Sequence, residues 1–372
     1  MTEAFINPNG EQKQTLIVVF LRGGADGLAL VGPLEDDDYY RARPRLALGK
    51  QSALKLDGFF GLNPLLRELH PIYQLGDLAI VHCAGSEDST RSHFEAQDLM
   101  EHGGLVAGGW LGRFLRQRPR ATGGALSAVA VGKELPECLR GAPSAAVIQS
   151  VEDFSLGKGS APLAKELGRL YALENDSLGS AANDTLKAID RMTNLRATPY
   201  RPAHSAEYAH DGFAQGLKQT ARLLKANVGV EAVSIDLGGW DSHFTQGTVI
   251  DSLMSRLAKG LAAFHRDLGE LMTSTSIVVM TEFGRRVREN ASFGTDHGRG
   301  GVMFVIGGGV KGGRVIGEWP GLNGETLEGP GDLPVINNYR NVLAPVLAKQ
   351  GAAAKLDDIF PDFPLQPIGL YA

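Results

Sequence analysis

Cysteine is scarce in this chain: 2 in 372 residues, Cys83 and Cys138, with no CxxC spacing. That excludes a zinc ribbon or a disulfide framework and leaves two buried thiols as the expectation. Positive charge is not in excess either, since 37 Lys and Arg face 42 Asp and Glu for a formal net charge of −5. Without a basic block, nucleic-acid binding is disfavoured. No apolar run reaches membrane-spanning length, and the first one, Leu16 to Leu21, is only strand-sized. The opening MTEAFINPNGEQKQ has no basic segment followed by an apolar run of export length, so the chain as written reads as cytoplasmic, with no membrane span. Internal repeats and low-complexity tracts are missing too.

Glycine, by contrast, is plentiful at 48 residues, and many glycines fall where a strand-like run ends: Gly23-Gly24, Gly238-Gly239, Gly284, Gly307-Gly308-Gly309 and Gly312-Gly313. Those runs are Leu16–Leu21, Leu78–His82, Ala128–Val131, Ala232–Leu237, Ile277–Thr281 and Val302–Ile306. They are continuous rather than alternating, which fits a sheet covered on both faces. Helical patterns lie between them at Asn63–Leu75, Ser205–Ala226, Ile250–Met272 and Asn338–Gln350. This alternation predicts an α/β fold with a mostly parallel central sheet. One domain is expected over about 15–350, with a tail at 1–14 and an extension at 351–372. A strand-free stretch at about 151–203, with helices at Pro162–Leu173 and Ala181–Asn194, reads as a helical insertion.

In such sheets ligands sit beyond the carboxyl ends of the strands. The residues found there are Arg22 and Asp26, then Ser89, Thr90, Arg91, Ser92 and His93, then Asp241 and His243, and then Glu282 and Arg285; Asp296 and His297 precede the last strand. Carboxylates and imidazoles in this mixture suit zinc or manganese. Arginines beside them match the oxygens of a tetrahedral anion. His70, His82, His102, His204, His210 and His265 have no such context and read as surface or packed residues. Trp240 reads as a packing residue near the proposed ligands.

The segments FLRGGADGL, RSHFEAQDLME, LGGWDSHFTQ, VVMTEFGR and GTDHGRGGVMFVIGGGVKGG together resemble the bacterial family known as domain of unknown function 1501, related to the alkaline phosphatase and sulfatase superfamily. The resemblance spans about Thr15 to Leu347. It implies an alkaline-phosphatase-like three-layer α/β/α sandwich with a bimetal-type site that hydrolyses phosphate or sulfate esters. By that likeness Asp26 is the first-strand carboxylate ligand. Ser92 is the helix-opening nucleophile, with Ser89 and Thr90 as competitors. Asp241, His243 and His297 are ligands of the other metal. Where relatives carry an Asp-His pair, this chain has Glu282-Phe283, which keeps one carboxylate. Relatives are often exported, which makes the periplasm the alternative compartment.

Counting ligands gives unequal sites. Asp241, His243 and His297 form an imidazole-rich set suited to zinc, whereas Asp26, Glu282 and the Ser92 oxygen form a harder set suited to magnesium or manganese. Arg22, Arg91 and Arg285 are the candidates to hold the oxygens of a small anionic ester substrate. Two other functions compete with the hydrolase: a non-catalytic binding or scaffold protein with a degenerate site, and a metal-free serine hydrolase. The latter lacks a GxSxG elbow around Ser92. Oligomeric state is not legible.

Overall fold

Alternate residues of the first strand go to opposite sides of the sheet. Ile17, Val19 and Leu21 enter one hydrophobic core, and Leu16, Val18 and Phe20 enter another. A strand buried on both faces needs a covering layer on each side, which explains why its sequence is an unbroken apolar run. The structure, a computed structural model, describes residues 14–371 apart from 119–123, 153, 155, 156, 158–160 and 175. The expected tail at 1–14 therefore lies almost wholly outside the described residues.

The strands are β1 (Thr15–Arg22), β2 (Val31–Pro33), β3 (Leu54–Lys55), β4 (Phe60–Leu62), β5 (Leu78–Gly85), β6 (Ala128–Val131), β7 (Ala146–Ile148), β8 (Ala232–Gly238), β9 (Thr275–Met280), β10 (Gly301–Gly307), β11 (Arg314–Ile316) and β12 (Asn337–Asn338). The main sheet runs β11-β5-β10-β9-β1-β8-β6-β7 with β12 beside β5, while β2, β4 and β3 form a small separate sheet. All pairings in the main sheet are parallel except those of β10, which runs antiparallel to both β5 and β9. The reversed strand matters for function. It puts the amino end of β10 on the same rim as the carboxyl ends of β1, β5, β8 and β9.

The helix Gly212–Lys225, capped by the Asp211 carboxylate on the Phe213 and Ala214 amides, lays Phe213, Leu217 and Ala221 into the first core. Helix Gln246–Leu268 adds Ile250, Leu253, Leu257 and Phe264 on the same side. Opposite them, Trp110–Gln117 and Tyr339–Leu347 supply Trp110, Phe114, Val342, Leu343 and Val346 to the second core. The layers are thus helix, sheet, helix.

Local sequence accounts for the departures from the expected elements. Asn63–Leu75 is not one helix but a 3-10 segment, Pro64–Leu69, followed by an α-turn at His70–Gln74. Pro71 lacks an amide hydrogen, and its ring opposes a continuous helix through this point. The helix expected from Ser205 begins only at Gly212, where the Asp211 cap sets its start. In the 151–203 stretch, helices occupy Ala161–Tyr171 and Ser177–Arg196, and Ala188 and Met192 of the second are buried in the first core. Near the carboxyl terminus, Ile359, Phe360 and Leu370 are buried in the second core. Among the described residues no helix is long and apolar enough to cross a membrane. Cys83 and Cys138 are both free and buried.

Candidate metal centre

Four loops and one helix end meet on the rim described above. After β8 the chain buries Trp240 completely in the first core and turns Asp241, whose side chain is 47% exposed, toward the rim. Gly23, just past β1, lets the two loops touch: its φ is +119°, and a Cβ there would lie 2.5 Å from the Asp241 amide nitrogen. On the other side, the ends of β9 and β10 continue as a ribbon. The Gly284 amide donates to the Arg299 carbonyl at 2.8 Å, the Gly298 amide to Gly284 at 2.9 Å, and the Arg286 amide to Asp296 at 2.9 Å. This ribbon delivers His297. Gly294 admits the close approach of the His243 loop, since a Cβ at that position would sit 2.2 Å from the His243 carbonyl oxygen. Finally, helix His93–His102 starts at the rim with His93 as its first residue.

Each of three imidazoles is held from behind through Nδ1. His297 Nδ1 faces the Arg91 carbonyl oxygen at 2.8 Å, His93 Nδ1 faces Glu282 Oε1 at 2.8 Å, and His243 Nδ1 faces Asp296 Oδ1 at 3.4 Å. These partners only accept, so Nδ1 carries the hydrogen and a neutral ring presents a bare Nε2. The Nε2 atoms of His243, His297 and His93 lie 3.1, 3.3 and 3.5 Å from the nearest Asp241 carboxylate oxygens. The His243 and His297 Nε2 atoms are 2.9 Å apart, and His93 Nε2 is buried without a hydrogen-bond partner among the described residues. His93, Asp241 and His297 each offer one ligand atom within 4.8 Å of the others.

Electron-rich atoms gathered in this way repel one another unless a cation or protons lie among them. Zinc bonds of about 2.0–2.1 Å, arranged tetrahedrally, require ligand atoms about 3.3 Å apart. The separations from Asp241 bracket that value, and His93, Asp241 and His297 form a set whose ligand atoms suit a divalent ion of zinc size.

The surroundings tune these groups in opposite directions. Burial pushes the Asp241 carboxyl upward, but the hydrogen bond and charge of Arg285, together with His297 and His243, outweigh it and bring the value down to about 2. The Glu282 hydrogen bond raises the His93 imidazole against the effect of burial. Burial lowers His297. Burial also opposes ionisation of Glu282, yet donors from His93, Gln97 and the Gly23 amide hold its carboxyl below the usual range.

Of the five residues expected to bind metal, the structure brings Asp241, His243 and His297 together and gives Asp26 and Glu282 other surroundings. Asp26 is fully buried, with Arg43 donating to both carboxylate oxygens at 2.6 and 3.1 Å and Gln246 donating to Oδ2 at 2.6 Å. Glu282 lies behind His93: Oε1 also accepts from Gln97 and the Gly23 amide, and Oε2 accepts from Thr281. Where the harder metal set was expected, the fold places the Arg43 guanidinium. His93, absent from the expected ligands, completes the cluster. Its signal was its place as the first helical residue after the rim turn.

The three arginines expected to bind substrate are committed to protein partners. Arg285, 1% exposed, donates to the carbonyls of Gly23, Gly24, Trp240 and Thr295 and to Asp241 Oδ1 at 2.8 Å, tying three loops together. Arg91 pairs with buried Asp332 at 2.5 Å and donates to the His297 carbonyl. Arg22 pairs with Asp236 at 2.6 Å and Glu101 at 2.9 Å and donates to Gln97 at 3.0 Å. Ser92 caps the His93 helix by position but makes no side-chain cap bond. It sits between Arg91, whose carbonyl holds His297, and His93 itself. Of its competitors, Thr90 donates its hydroxyl hydrogen to Glu95 at 2.6 Å and accepts the Ser92 amide, while Ser89 is exposed.

Fold and site define a three-layer α/β protein with a histidine-rich cluster on the carboxyl rim of its sheet. The chain belongs to the family described as Protein of unknown function (DUF1501), whose model matches residues 79–344. No curated protein matches it. Among solved structures it is similar to a 2-O GAG sulfatase at 10% identity, covering 96% of this chain and 73% of that one, with a TM-score of 0.34.

Proposed function

We propose that His93, Asp241 and His297 hold one divalent cation, zinc or manganese, with His243 beside them, in a hydrolase of small phosphate or sulfate esters with Ser92 as nucleophile. The observation that carries this reading is the triple tether: three imidazoles fixed through Nδ1, with every Nε2 within 3.5 Å of an Asp241 oxygen. Packing alone has no use for that convergence. A bound cation would supply positive charge at the reacting oxygen and lower the pKa of a hydroxyl or water.

The chain's own residues support the remaining roles. Glu282, Asp296 and the Arg91 carbonyl orient the rings. Arg285 neutralises part of Asp241 and holds its loop. Ser92 lies at the amino end of a ten-residue helix, where the backbone dipole favours negative charge. Magnesium fits less well, since its usual shell is oxygen.

The commitment of Arg22, Arg91 and Arg285 to protein partners favours a second reading, a metal-binding scaffold without turnover. Metal content of the purified protein, followed by assay of an aryl phosphate and an aryl sulfate with zinc or manganese supplied, separates the two. About one bound ion per chain with turnover that a chelator abolishes supports the hydrolase. One ion without turnover supports the scaffold. Turnover that survives complete metal removal points to the metal-free serine hydrolase.

A further inference from the structure

The ribbon that carries His297 also carries two arginines that the site described so far does not use. A cleft of about 640 Å³ opens beside the cluster, lined on one side by Arg286, Arg288, Asn290 and Asp296 and on the other by Asp38 and Arg41. Its size is within the range of about 300–1,000 Å³ usual for small-molecule sites. It adjoins the cluster directly, because Asp296 forms part of its wall and also tethers His243 Nδ1. One imidazole ring separates the cleft from the convergent Nε2 atoms.

The acids and the arginines of this cleft differ in their state. Asp38 is paired with Arg41 at 2.6 Å, and Glu289 accepts from Arg45 and from two backbone amides. Asp296 accepts from Asn290 and His243. The Arg286 guanidinium makes no hydrogen bond to a described residue: its one ionic neighbour, Asp296 Oδ2, is 3.6 Å away, and its Nε is buried without a partner. Arg288 is exposed and forms no hydrogen bond or ion pair with any described residue. Buried guanidinium hydrogens left unpaired are costly. Two planar forks with free donors make a site for a tetrahedral or planar oxyanion.

We propose that Arg286 and Arg288 form an anion subsite that binds a carboxylate, sulfate or phosphate group. Taken with the hydrolase reading, on which this part rests, the subsite selects esters that carry a second anionic group one short spacer from the ester. It also assigns the substrate-binding role expected of Arg285 to its neighbours in the run EFGRRVREN.

The subsite is tested with inorganic sulfate, titrated calorimetrically at low ionic strength into the full-length, chelator-treated chain. The expected result is saturable binding that Arg288→Gln weakens about tenfold, that Arg286→Gln/Arg288→Gln removes, and that His297→Ala leaves unchanged. Arg288 is exposed and has no hydrogen bond or ion pair to a described residue to lose, so its single variant keeps the fold. No saturable binding to the natural chain, equal binding by the double variant, or binding lost in His297→Ala alone overturns the subsite. The selectivity is tested by comparing phenyl phosphate with 4-carboxyphenyl phosphate: Arg288→Gln should raise KM for the second alone and leave kcat unchanged. If neither ester is turned over by any form, the hydrolase reading and the selectivity built on it fall, while the sulfate titration still decides the subsite.

Discussion

His243 and His297, 54 positions apart, bring their Nε2 atoms to 2.9 Å, and neither atom has a hydrogen to spare while both rings are neutral and tethered through Nδ1. In that tautomeric state two lone pairs face each other, and a cation between them removes the repulsion. The loop after β8 and the ribbon before β10 are docked on each other by backbone hydrogen bonds from Thr295 to Ser242 at 3.1 Å and from Thr245 to Ser292 at 2.9 Å.

The cluster should therefore bind one zinc ion tightly rather than two. Titration of metal-stripped protein is expected to show a single tight event, lost in His93→Ala and in His297→Ala. Glu282→Gln should keep the event but weaken it by about 10–100-fold, since Glu282 orients His93 from behind. Unchanged zinc affinity in His93→Ala would remove His93 from the shell, and two tight events would restore a second site.

Ser92→Ala is expected to abolish ester turnover while zinc content and unfolding midpoint stay as in the natural chain, because the hydroxyl makes no cap bond to lose. Thr90→Ala should behave differently, costing stability by about 1 kcal/mol through the lost Glu95 and Ser92 bonds and sparing turnover. Full activity in Ser92→Ala, measured with an aryl phosphate, moves the nucleophile elsewhere.

Much of this site was legible before any coordinates. Asp241 and His243 lie just beyond an apolar run and His297 just before one, and parallel pairing of β1, β8 and β9 together with the reversed β10 puts all three on one rim. Two things were hidden. Whether a carboxylate faces a metal or a guanidinium depends on a partner brought by tertiary packing, so nothing around Asp26 announced that Arg43 would take both its oxygens. Likewise His93 follows the expected nucleophile directly, and only the rotation of its helix decides that its ring meets Asp241 and Glu282. The partners of the arginines are hidden for the same reason. Arg285 and Arg286 are adjacent in sequence, yet on the ribbon one points into the protein and the other into the cleft.

The buried pair Asp26–Arg43 makes a prediction about stability rather than activity. Both side chains are at most 1% exposed, so Arg43→Ala leaves a buried carboxylate with Gln246 as its one remaining side-chain partner. The expected cost is about 3–5 kcal/mol in urea unfolding. Asp26→Asn should also destabilise while leaving zinc stoichiometry intact. A stable Asp26→Asn protein that no longer binds metal would return Asp26 to the ligand set.

His82 should weaken the fold in mild acid. Its Nε2 faces the Val31 carbonyl at 3.0 Å and its Nδ1 accepts the Cys83 amide at 3.0 Å, so the neutral ring is satisfied and complete burial lowers its pKa to about 4. In the unfolded chain the imidazole takes a proton near pH 6.5. The stability tied to the neutral ring is thus fully present above about pH 6.5 and is lost as pH falls toward 4, by on the order of 3 kcal/mol. Comparing urea unfolding between pH 7 and 4.5 for the natural chain and His82→Gln isolates this component. Identical pH slopes for the two proteins would count against it.

Because β10 runs back beside β9, the chain leaves the rim after Met280 and returns to it at Gly301 without crossing the sheet. A parallel partner would have required a covering helix between them. The whole excursion, which bears Glu282, Arg285, Arg286, Arg288, Asp296 and His297, is in effect a cassette whose two ends are neighbours in a rigid ladder. Its tip, around Ala291–Phe293, accepts the Thr245 and Gln246 amides and so ties the cassette to the loop after β8. One segment thus fixes the cleft arginines and His297 together, so a change of sequence within it alters both walls of the rim at once.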